Sequence, residues 1–399
     1  MWGIGKRDFV LFLMASAVIG ITQSIDTSFF NNFLNDNYQL TISQRTFLEI
    51  PREFPGFAVV FVTGLLFAFG DVRTAAVANL LGGLGALGLA FWSPEYLPMI
   101  GWLTLYSMGQ HLFMPMSNSI GMNLATDGQM GRRLGQINSV NTAVFLATSL
   151  ATAFLFRFIK IDYHLALSIS AGAFFLSAIL ILLMKPHSGK RVGKRFVLRK
   201  EYKVFYGLSI LYGARKQIFI TFGPWVLIKV FDQGVATFAV LSFLIAGLGI
   251  VFKPFIGYLI DNAGERFVLA GEAVSLIFIC LGYAFTQGIF ENLGMDKIAL
   301  YTICGLFVLD QMLASVSMAR ATYVKKIALS PEDVSPTLSM GISIDHIVSM
   351  FVPFLGGFIW TIFGYEYVFV IGAAIAALNL FLTTKMQPFY KLPNNESAV

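Results

Sequence analysis

The segment GYLIDNAGER, residues 257–266, lies between two long apolar stretches in the second half of the chain. Gly257 has no side chain and lets two helices approach each other closely. Asp261, at a helix end, can face the positive N-terminus of a neighbouring helix, and Arg266 can pair with an acid at another helix end. The segment therefore predicts a turn whose polar contacts form and break as the helices move.

A related loop occurs in the first half of the chain, where residues 67–76 read FAFGDVRTAA. Asp71 and Arg73 are present, but Phe67 takes the place of the first glycine, and the later glycine is missing. An acid that faces a helix end survives this change. Each loop by itself is also compatible with an ordinary charged turn.

The composition of the chain excludes a soluble protein. Of its 399 residues, 56% are hydrophobic and 13% are charged, and the mean hydropathy is +0.72. Soluble proteins carry about 25% charged residues, and 40 Phe beside 22 acidic residues leave too few polar groups for a soluble surface. We therefore expect a polytopic membrane protein. The net charge of +6 reflects the position of basic loops, and no nucleic-acid partner is expected.

Twelve apolar segments are long enough to cross a bilayer, because a spanning helix needs about 20 mostly apolar residues. They lie near residues 8–34, 43–69, 74–93, 97–125, 133–158, 163–184, 204–231, 235–260, 266–287, 297–323, 336–362 and 364–384. The start of the chain is similar to a signal peptide, but its apolar run continues to about residue 34, so we interpret it as an uncleaved first helix. The predicted fold class is an all-α membrane protein with twelve transmembrane helices.

The spans form two sets of six with the same layout. We expect a first bundle at 1–184, a basic linker at 185–203, a second bundle at 204–386 and a short polar tail at 387–399. The linker is interpreted as an anchor at the inner leaflet, and a regulatory or lipid-binding role is the alternative.

The basic residues predict the orientation of the chain. With both termini in the cytoplasm, most of the 28 basic residues fall on cytoplasmic segments, as the positive-inside rule requires. The exceptions that fall outside are Arg45, Arg157, Lys160, Lys229 and Lys297.

The two loops, the twelve spans and the duplicated layout together resemble the major facilitator superfamily, and the resemblance covers essentially the whole chain. Residues 131–143, GRRLGQINSVNTA, and 352–360, VPFLGGFIW, agree with it. The fifth predicted helix lacks the Gly-Pro-Gly-Gly pattern of drug–proton antiporters, which disfavours a multidrug exporter. The conformational latch that the resemblance implies consists of Asp71, Arg73, Gly257, Asp261, Gly264 and Arg266.

The resemblance implies two six-helix bundles that rock around a midplane site and expose it alternately to each side. It also implies that the seventh, tenth and eleventh helices face a central cavity. We expect a monomeric secondary active transporter in the plasma membrane, or in the inner membrane of a bacterium. Its partners would be a small-molecule substrate, a proton or other coupling ion, and membrane lipids.

Several charged residues lie near mid-depth of these three helices, where a charge costs roughly 2.5–3.5 kcal/mol. The seventh contains Arg215 and Lys216, the tenth Asp310, and the eleventh Asp345 and His346. We expect Arg215 to contact the substrate, since its planar guanidinium suits an oxyanion, and Lys216 to hold an acid. This lining favours an anionic or amphipathic organic solute. Asp310 is the first candidate for proton coupling, and Asp345 with His346 the second.

The stretch FLEIPREFPGF, residues 47–57, places further charges on one helical face, since Glu49, Arg52, Glu53 and Gly56 are spaced by three, four and seven residues. Pro51 and Pro55 are expected to disturb the backbone there. One interpretation is an ion pair that locks the helix. The other is an extracellular-side gate or a part of the substrate site.

Two more polar residues are candidates for the cavity. Asp26 is either a cavity group or a residue at a helix interface, and His111 is either a packing residue or a proton carrier. Glu272 is expected to belong with the latch, and Arg320 to reach a cytoplasmic surface. The predicted substrate-binding set is Asp26, Arg52, His111, Arg215, Lys216, Asp310, Asp345 and His346.

Other functions remain as alternatives. A multidrug or lipophilic-cation exporter would use acids as its main recognition groups, and a lipid flippase would need a lateral opening. A membrane-embedded enzyme and a non-transporting receptor are remote alternatives. The His residues at 111, 164, 187 and 346 have no metal spacing, and Cys280 and Cys304 lie in apolar runs. We therefore expect no metal site, cofactor, disulfide or catalytic residue.

Overall fold

The structure is a computed structural model that describes residues 4–65, 69–124, 130–185 and 198–386. These residues form helices and, within those ranges, no strand. The helices are α1 Ile4–Tyr38, α2 Ile42–Phe47, α3 Glu49–Leu65, α4 Gly70–Phe91, α5 Tyr96–Asn123, α6 Met130–Phe154, α7 Tyr163–Leu182, α8 Lys203–Lys229, α9 Val235–Ala263, α10 Glu265–Glu291, α11 Asp296–Leu313, α12 Ser317–Ile327, α13 Pro331–Phe363 and α14 Tyr365–Thr383.

Each predicted span coincides with one helix or with two consecutive ones. The second span is divided at Leu48 into α2 and α3, and the tenth is divided by a 3₁₀ turn, Ala314–Val316, into α11 and α12. A single π-helical turn, Leu155–Ile159, extends α6. The predicted disturbance at Pro51 and Pro55 does not interrupt α3, which continues through both residues.

Nine helical segments in the described ranges are long and apolar enough to cross a membrane. The three remaining predicted spans coincide with α2–α3, α5 and α8, which carry many of the polar residues of the candidate site. Polar side chains lower the mean hydropathy of such helices, as expected where a helix faces other protein groups or water. The count of twelve crossings and the cytoplasmic termini stay predictions.

The described residues group into two compact units. Unit 1 comprises those within Met1–Val192, Gln217–Gly247 and His346–Tyr365, and unit 2 those within Gly193–Lys216, Leu248–Asp345 and Glu366–Val399. One boundary lies in the linker, and the others fall within α8, α9, α13 and the first turn of α14, whereas the sequence predicts a single division at the linker. The two predicted bundles stay a prediction. Most of the linker, 186–197, and the whole tail, 387–399, lie outside the described residues.

Small residues and interhelical hydrogen bonds pack the helices of unit 1. A Cβ on Gly109 of α5 would lie 2.4 Å from the Gly82 nitrogen of α4, so the two backbones are in direct contact. Asn79 Nδ2 donates to Ser177 Oγ at 2.8 Å and joins α4 to α7. Both devices are typical of membrane helices, where lipid supplies no hydrophobic force between them.

Unit 2 has an aromatic and aliphatic core. Tyr202, Phe205, Leu269 and Tyr323 are buried within one cluster that includes residues of α8, α9, α10 and α12. Tyr202 donates to Asp333 Oδ2 at 2.9 Å, and the same carboxylate lies 3.2 Å from Arg199 Nε. These contacts fix the start of α8, the helix that carries Arg215 and Lys216.

Candidate functional site

Glu49 is completely buried at the start of α3, and polar side chains surround it in unit 1. Arg45 Nη1 contacts Glu49 Oε1 closely, and Arg52 Nη1 lies 3.2 Å from the same oxygen. Gln217 Nε2 of α8 donates to the other oxygen, Oε2, at 2.7 Å. The ion pair that the sequence predicts between Glu49 and Arg52 is therefore present, within a larger network.

Arg45 is a member of this network that the sequence interpretation missed, because it assigned the residue to an outer loop. It is fully buried, and its Nη2 donates to Asn31 Oδ1 at 3.0 Å. Its guanidinium also lies 5.7 Å from the centroid of the Trp225 ring. The four-residue spacing to Glu49 was the available signal, since side chains at i and i+4 share a helical face.

The local sequence explains why Arg45 and Glu49 meet although a break separates α2 from α3. Thr41 and Gln44 form a capping box that begins α2. The amide of Arg52 still donates to the Leu48 carbonyl at 3.1 Å, so the helical hydrogen bonds resume at once. Pro51 stands in the first turn of α3, where its missing N–H leaves no helical bond unmade.

Arg52 is surrounded by acids. Its guanidinium lies close to the carboxylates of Glu49, Glu53 and Asp26. Asp26, of α1, lies near the polar side chains of Tyr106 and Gln110. Asp26 and Arg52, which the sequence places in one predicted site, are thus neighbours in unit 1.

Glu53 lies beside the two histidines predicted for the cavity and contacts one of them. His346 Nδ1, on α13, lies 2.9 Å from Glu53 Oε2, and the His111 and His346 rings are 5.1 Å apart in an edge-on arrangement. One ligand atom from each of the three residues lies within 4.8 Å of the others, so the group could hold a metal ion. The sequence did not predict this group, because its members are far apart along the chain.

The charges of this cluster do not balance. Asp26, Glu49 and Glu53 contribute three carboxylates, whereas Arg45 and Arg52 contribute two guanidinium groups. A proton on one of the carboxyl groups or on an imidazole, or a bound cation, would neutralise the remaining negative charge. Excess charge is strongly unfavourable in a buried site, so the cluster favours such a positive group.

A cavity of about 360 Å³ lies beside the cluster in unit 1, within the size range of small-molecule sites. The described residues that line it include no Asp, Glu, Lys or Arg. His111 belongs both to the lining and to the Glu53 cluster. The side-chain amides that line the cavity are Gln23, Gln110, Asn118, Asn138 and Asn141.

Unit 2 places Arg215 against Asp310. Arg215 Nη2 lies 3.1 Å from Asp310 Oδ1 and donates to the Asp310 carbonyl oxygen at 3.3 Å. Both side chains are buried, with 6% and 2% of their surface exposed. The counter-charge that the sequence predicts for Arg215 is therefore in place.

A second buried pair lies next to the first. Arg320 Nη1 and Glu272 Oε2 are 3.2 Å apart, and the Arg320 guanidinium lies 3.6 Å from the centroid of the Tyr212 ring. The sequence analysis expected Glu272 in the latch and Arg320 at a cytoplasmic surface. In the structure the two residues are buried and form an ion pair with each other. The space between Arg215, Glu272 and Arg320 is about 10 Å³, enough for about one water molecule.

Lys216 Nζ donates to Asp345 Oδ2 at 2.8 Å, also in unit 2. Gly213 makes this contact possible, since a Cβ there would lie 2.7 Å from Asp345 Oδ1. The sequence expects Lys216 to hold an acid, and this contact agrees with that expectation. Direct substrate contact by Arg215 stays a prediction.

The predicted latch residues lie at helix ends. Asp71 is buried in the first turn of α4 and accepts a hydrogen bond from Ser119 of α5, whereas Arg73 is exposed. Gly264 joins α9 to α10 with φ of +86°, a conformation that favours glycine.

The contacts predicted for the rest of the α9–α10 turn differ from those observed. Asp261 and Arg266 are exposed, and a Cβ on Gly257 would meet none of the described atoms within 4 Å, so the close helix approach predicted there is not found. The ion pair at this turn instead joins Glu265 to Lys326, with Nζ and Oε2 2.7 Å apart. The role of the turn as a latch stays a prediction.

Comparison with known proteins gives a consistent result. A family model described as Major Facilitator Superfamily matches residues 9–326. A search among curated protein sequences found no match.

Several solved structures with similar folds are transporters. The nucleoside transporter NupG, in a point-mutant form, has a TM-score of 0.77 at 13% identity, with 95% of this chain and 99% of that chain covered. A bacterial homologue of the human lysosomal transporter Spinster, inward-facing and occupied, has a TM-score of 0.71 at 15% identity, with 97% and 98% covered. A D-xylose–proton symporter has 0.72 at 13% identity, with the same coverage.

Proposed function

The chain belongs to the major facilitator superfamily and is an integral membrane protein with a secondary-transporter fold, and we propose that it carries a small polar organic solute by alternating access, coupled to protons. The family model spans most of the chain, and the fold similarity extends over nearly all of it. The substrate class, the coupling ion and the residues involved are the proposed part.

The contacts around α3 carry this proposal. Within unit 1 they join helices of the first half to segments of the second: Glu49 to Gln217, Glu53 to His346, and Asn32 Nδ2 to the Gln233 carbonyl at 2.9 Å. Alternating access requires contacts between the halves to break and re-form. We propose that Glu49, Arg52 and Glu53 form a gate, whose opening exposes their charges to water and so limits the cost of breaking the pairs.

The lining of the cavity favours a polar, uncharged solute as the substrate. Its five amide side chains offer both donors and acceptors, and hydroxyl or amide groups of a solute can satisfy them. A net charge on the solute would have no opposite charge among the described lining residues, apart from a protonated His111. Sugars, polyols and nucleoside-like compounds have the required chemistry.

An anionic or amphipathic solute is the second candidate, and Arg215 favours it. In this structure Arg215 is paired with Asp310, and the adjoining space holds about one water molecule. An anion would therefore have to replace Asp310 in another conformation. Protonation of Asp310 would release Arg215 for that contact, which links anion binding to the proton.

The first experiment measures which solute class binds. Thermal unfolding of the purified chain is followed with pentoses, nucleosides, organic carboxylates and lipophilic cations, and we expect the uncharged hydroxylated compounds to raise the midpoint. Asn138→Ala should weaken binding roughly 2- to 10-fold, the value of one hydrogen bond, whereas Asn292→Ala, outside the cavity, should not. A response to carboxylates or cations only would contradict the uncharged class.

Counterflow of the compound that binds, measured in proteoliposomes, separates a transporter from an enzyme or a receptor. Asp310→Asn should abolish uptake driven by a pH gradient and leave counterflow, because counterflow needs no net proton transfer. Uptake that stays pH-driven in Asp310→Asn would exclude Asp310 and leave Asp345 with His346 as the coupling groups.

A further inference from the structure

We propose that Glu53, His111 and His346 form a binding site for a first-row transition-metal ion such as Zn²⁺. Two imidazoles and one carboxylate are a common ligand set for such ions, with a fourth position left for water or a solute. The site shares Glu53 with the proposed gate and His111 with the lining of the proposed solute cavity, but metal binding does not depend on the proposed function. The His spacing along the sequence gives no indication of the site.

The distances fit a metal centre after small side-chain rotations. Zn²⁺ binds His nitrogen and carboxylate oxygen at about 2.0–2.2 Å, which in a tetrahedral site separates the ligand atoms by about 3.3–3.6 Å. The ligand atoms of the three residues lie within 4.8 Å of one another, and the Glu53 Oε2–His346 Nδ1 distance is 2.9 Å. The ligands therefore need to move by about an ångström or less.

The hydrogen bonds of His111 prepare it as a ligand. Its Nδ1 lies 3.0 Å from both the carbonyl oxygen and the Oγ of Ser107. The Ser107 hydroxyl donates its hydrogen to the Arg52 carbonyl and a carbonyl can only accept, so Nδ1 is the donor and carries the proton. The lone pair is then on Nε2 and is free to bind a metal. A backbone carbonyl that holds the other ring nitrogen is the usual support of a metal-binding histidine.

Gly56 provides the space for the two rings. A Cβ at this position would lie 2.4 Å from His346 Cε1 and 2.7 Å from His111 Cδ2, so any other residue would force the imidazoles to shift. His111 also lines the cavity of about 360 Å³, which gives an ion a path to the site and room for a fourth ligand.

The charge of the surroundings accommodates a cation. The three carboxylates of the cluster exceed its two guanidinium groups by one charge. Arg52 interacts electrostatically with Glu53, and the carboxylates of Asp26 and Glu49 also interact with Arg52 and offset its charge. A divalent ion bound to neutral imidazoles would leave the cluster with one positive charge in place of one negative charge.

The experiment measures metal binding directly, with purified full-length chain that carries no histidine tag. Co²⁺ is added to chelator-treated protein, and the visible absorption of four- or five-coordinate Co²⁺ is recorded; calorimetry with Zn²⁺ gives the affinity and stoichiometry. We expect one ion per chain. His111→Gln and His346→Gln should each weaken binding by at least about 100-fold, since even outer-shell changes cost 10- to 100-fold.

His164→Gln is the matched control. His164 also belongs to unit 1, and its Nδ1 contacts the Ala90 carbonyl, outside the cluster. Its substitution should leave the spectrum and the affinity unchanged, and metal-free unfolding curves of all variants show whether each one folds.

X-ray absorption of the wild-type Zn²⁺ form gives a readout that does not depend on any variant, with two imidazole nitrogens and one carboxylate oxygen expected around the ion. The proposal is wrong if the wild-type protein gives no saturable Co²⁺ band. It is equally wrong if both histidine variants bind as the wild type does, or if scattering from two imidazoles is absent. In those cases the Glu53–His346 contact is only a proton-dependent ion pair.

Discussion

The two clusters of buried charge differ in how their charges are compensated. In the buried cluster of unit 2 each of the three cations has its own acid: Arg215 with Asp310, Arg320 with Glu272, and Lys216 with Asp345. In unit 1 the acids outnumber the guanidinium groups, and the cluster adjoins a cavity of about 360 Å³ rather than a space of about 10 Å³. Balanced ion pairs stabilise one fixed arrangement of side chains. An excess of negative charge beside a cavity instead favours the binding of a proton, a cation or a solute.

This comparison predicts the largest loss of stability in the unit 1 network. Glu49→Ala should lower the free energy of unfolding by about 3–5 kcal/mol, because it leaves Arg45 buried without its main partner. Denaturant unfolding in detergent micelles measures the change. Glu291→Ala, at an exposed helix end, is the control and should stay within about 0.5 kcal/mol. A loss below about 1 kcal/mol for Glu49→Ala would show that the network is not structural.

The balanced pair in unit 2 should tolerate joint replacement. Asp310→Leu alone should cost about 3–5 kcal/mol, whereas Arg215→Met with Asp310→Leu should recover most of that loss, since removing both charges of a buried pair is often nearly neutral. The same unfolding experiment gives the coupling energy of the pair. A double variant as unstable as the single one would mean that Arg215 and Asp310 have important partners elsewhere.

Smaller changes in stability, of opposite sign, are expected for alanine substitutions at two glycines, one from each unit. Gly56→Ala should destabilise unit 1 by about 1–3 kcal/mol, because the new methyl group collides with two imidazoles. Gly257→Ala has open space and should stabilise α9 by about 0.5–1 kcal/mol. Thermal unfolding of both variants tests the comparison. If Gly257→Ala is the more harmful change, the close helix contact predicted from the sequence exists in the folded protein after all.

The smallest effect on stability is expected at Lys216. Its pair with Asp345 is partly exposed, so Lys216→Ala should cost no more than about 1 kcal/mol, less than Arg215→Ala. In transport assays Arg215→Ala should likewise be the more damaging change. Normal transport by Arg215→Ala together with an inactive Lys216→Ala would reverse the roles assigned to the two residues.

Much of the fold follows from the sequence alone. The long apolar runs place the helices within a few residues, because a membrane leaves a chain little choice other than helix. Spacing within one helix also predicts the Glu49–Arg52 pair, and depth in neighbouring helices predicts that Arg215 and Lys216 meet acids. The first inference needs only the periodicity of one helix. The second needs only the depth of each charge in the membrane, because a buried charge requires a counter-charge at a similar depth.

Only the tertiary structure decides which distant groups meet. Nothing in the spacing of residues 53, 111 and 346 brings a carboxylate and two imidazoles together; the packing of α3, α5 and α13 in unit 1 does. The surroundings of Arg45 also depend on the tertiary structure. Its charge suggested a position in an outer loop, but in the fold it is buried in contact with Glu49, Asn31 and Trp225. The sequence determined that buried charges need partners, and the fold selected those partners, since a side chain's energy depends on neighbours that the chain order does not specify.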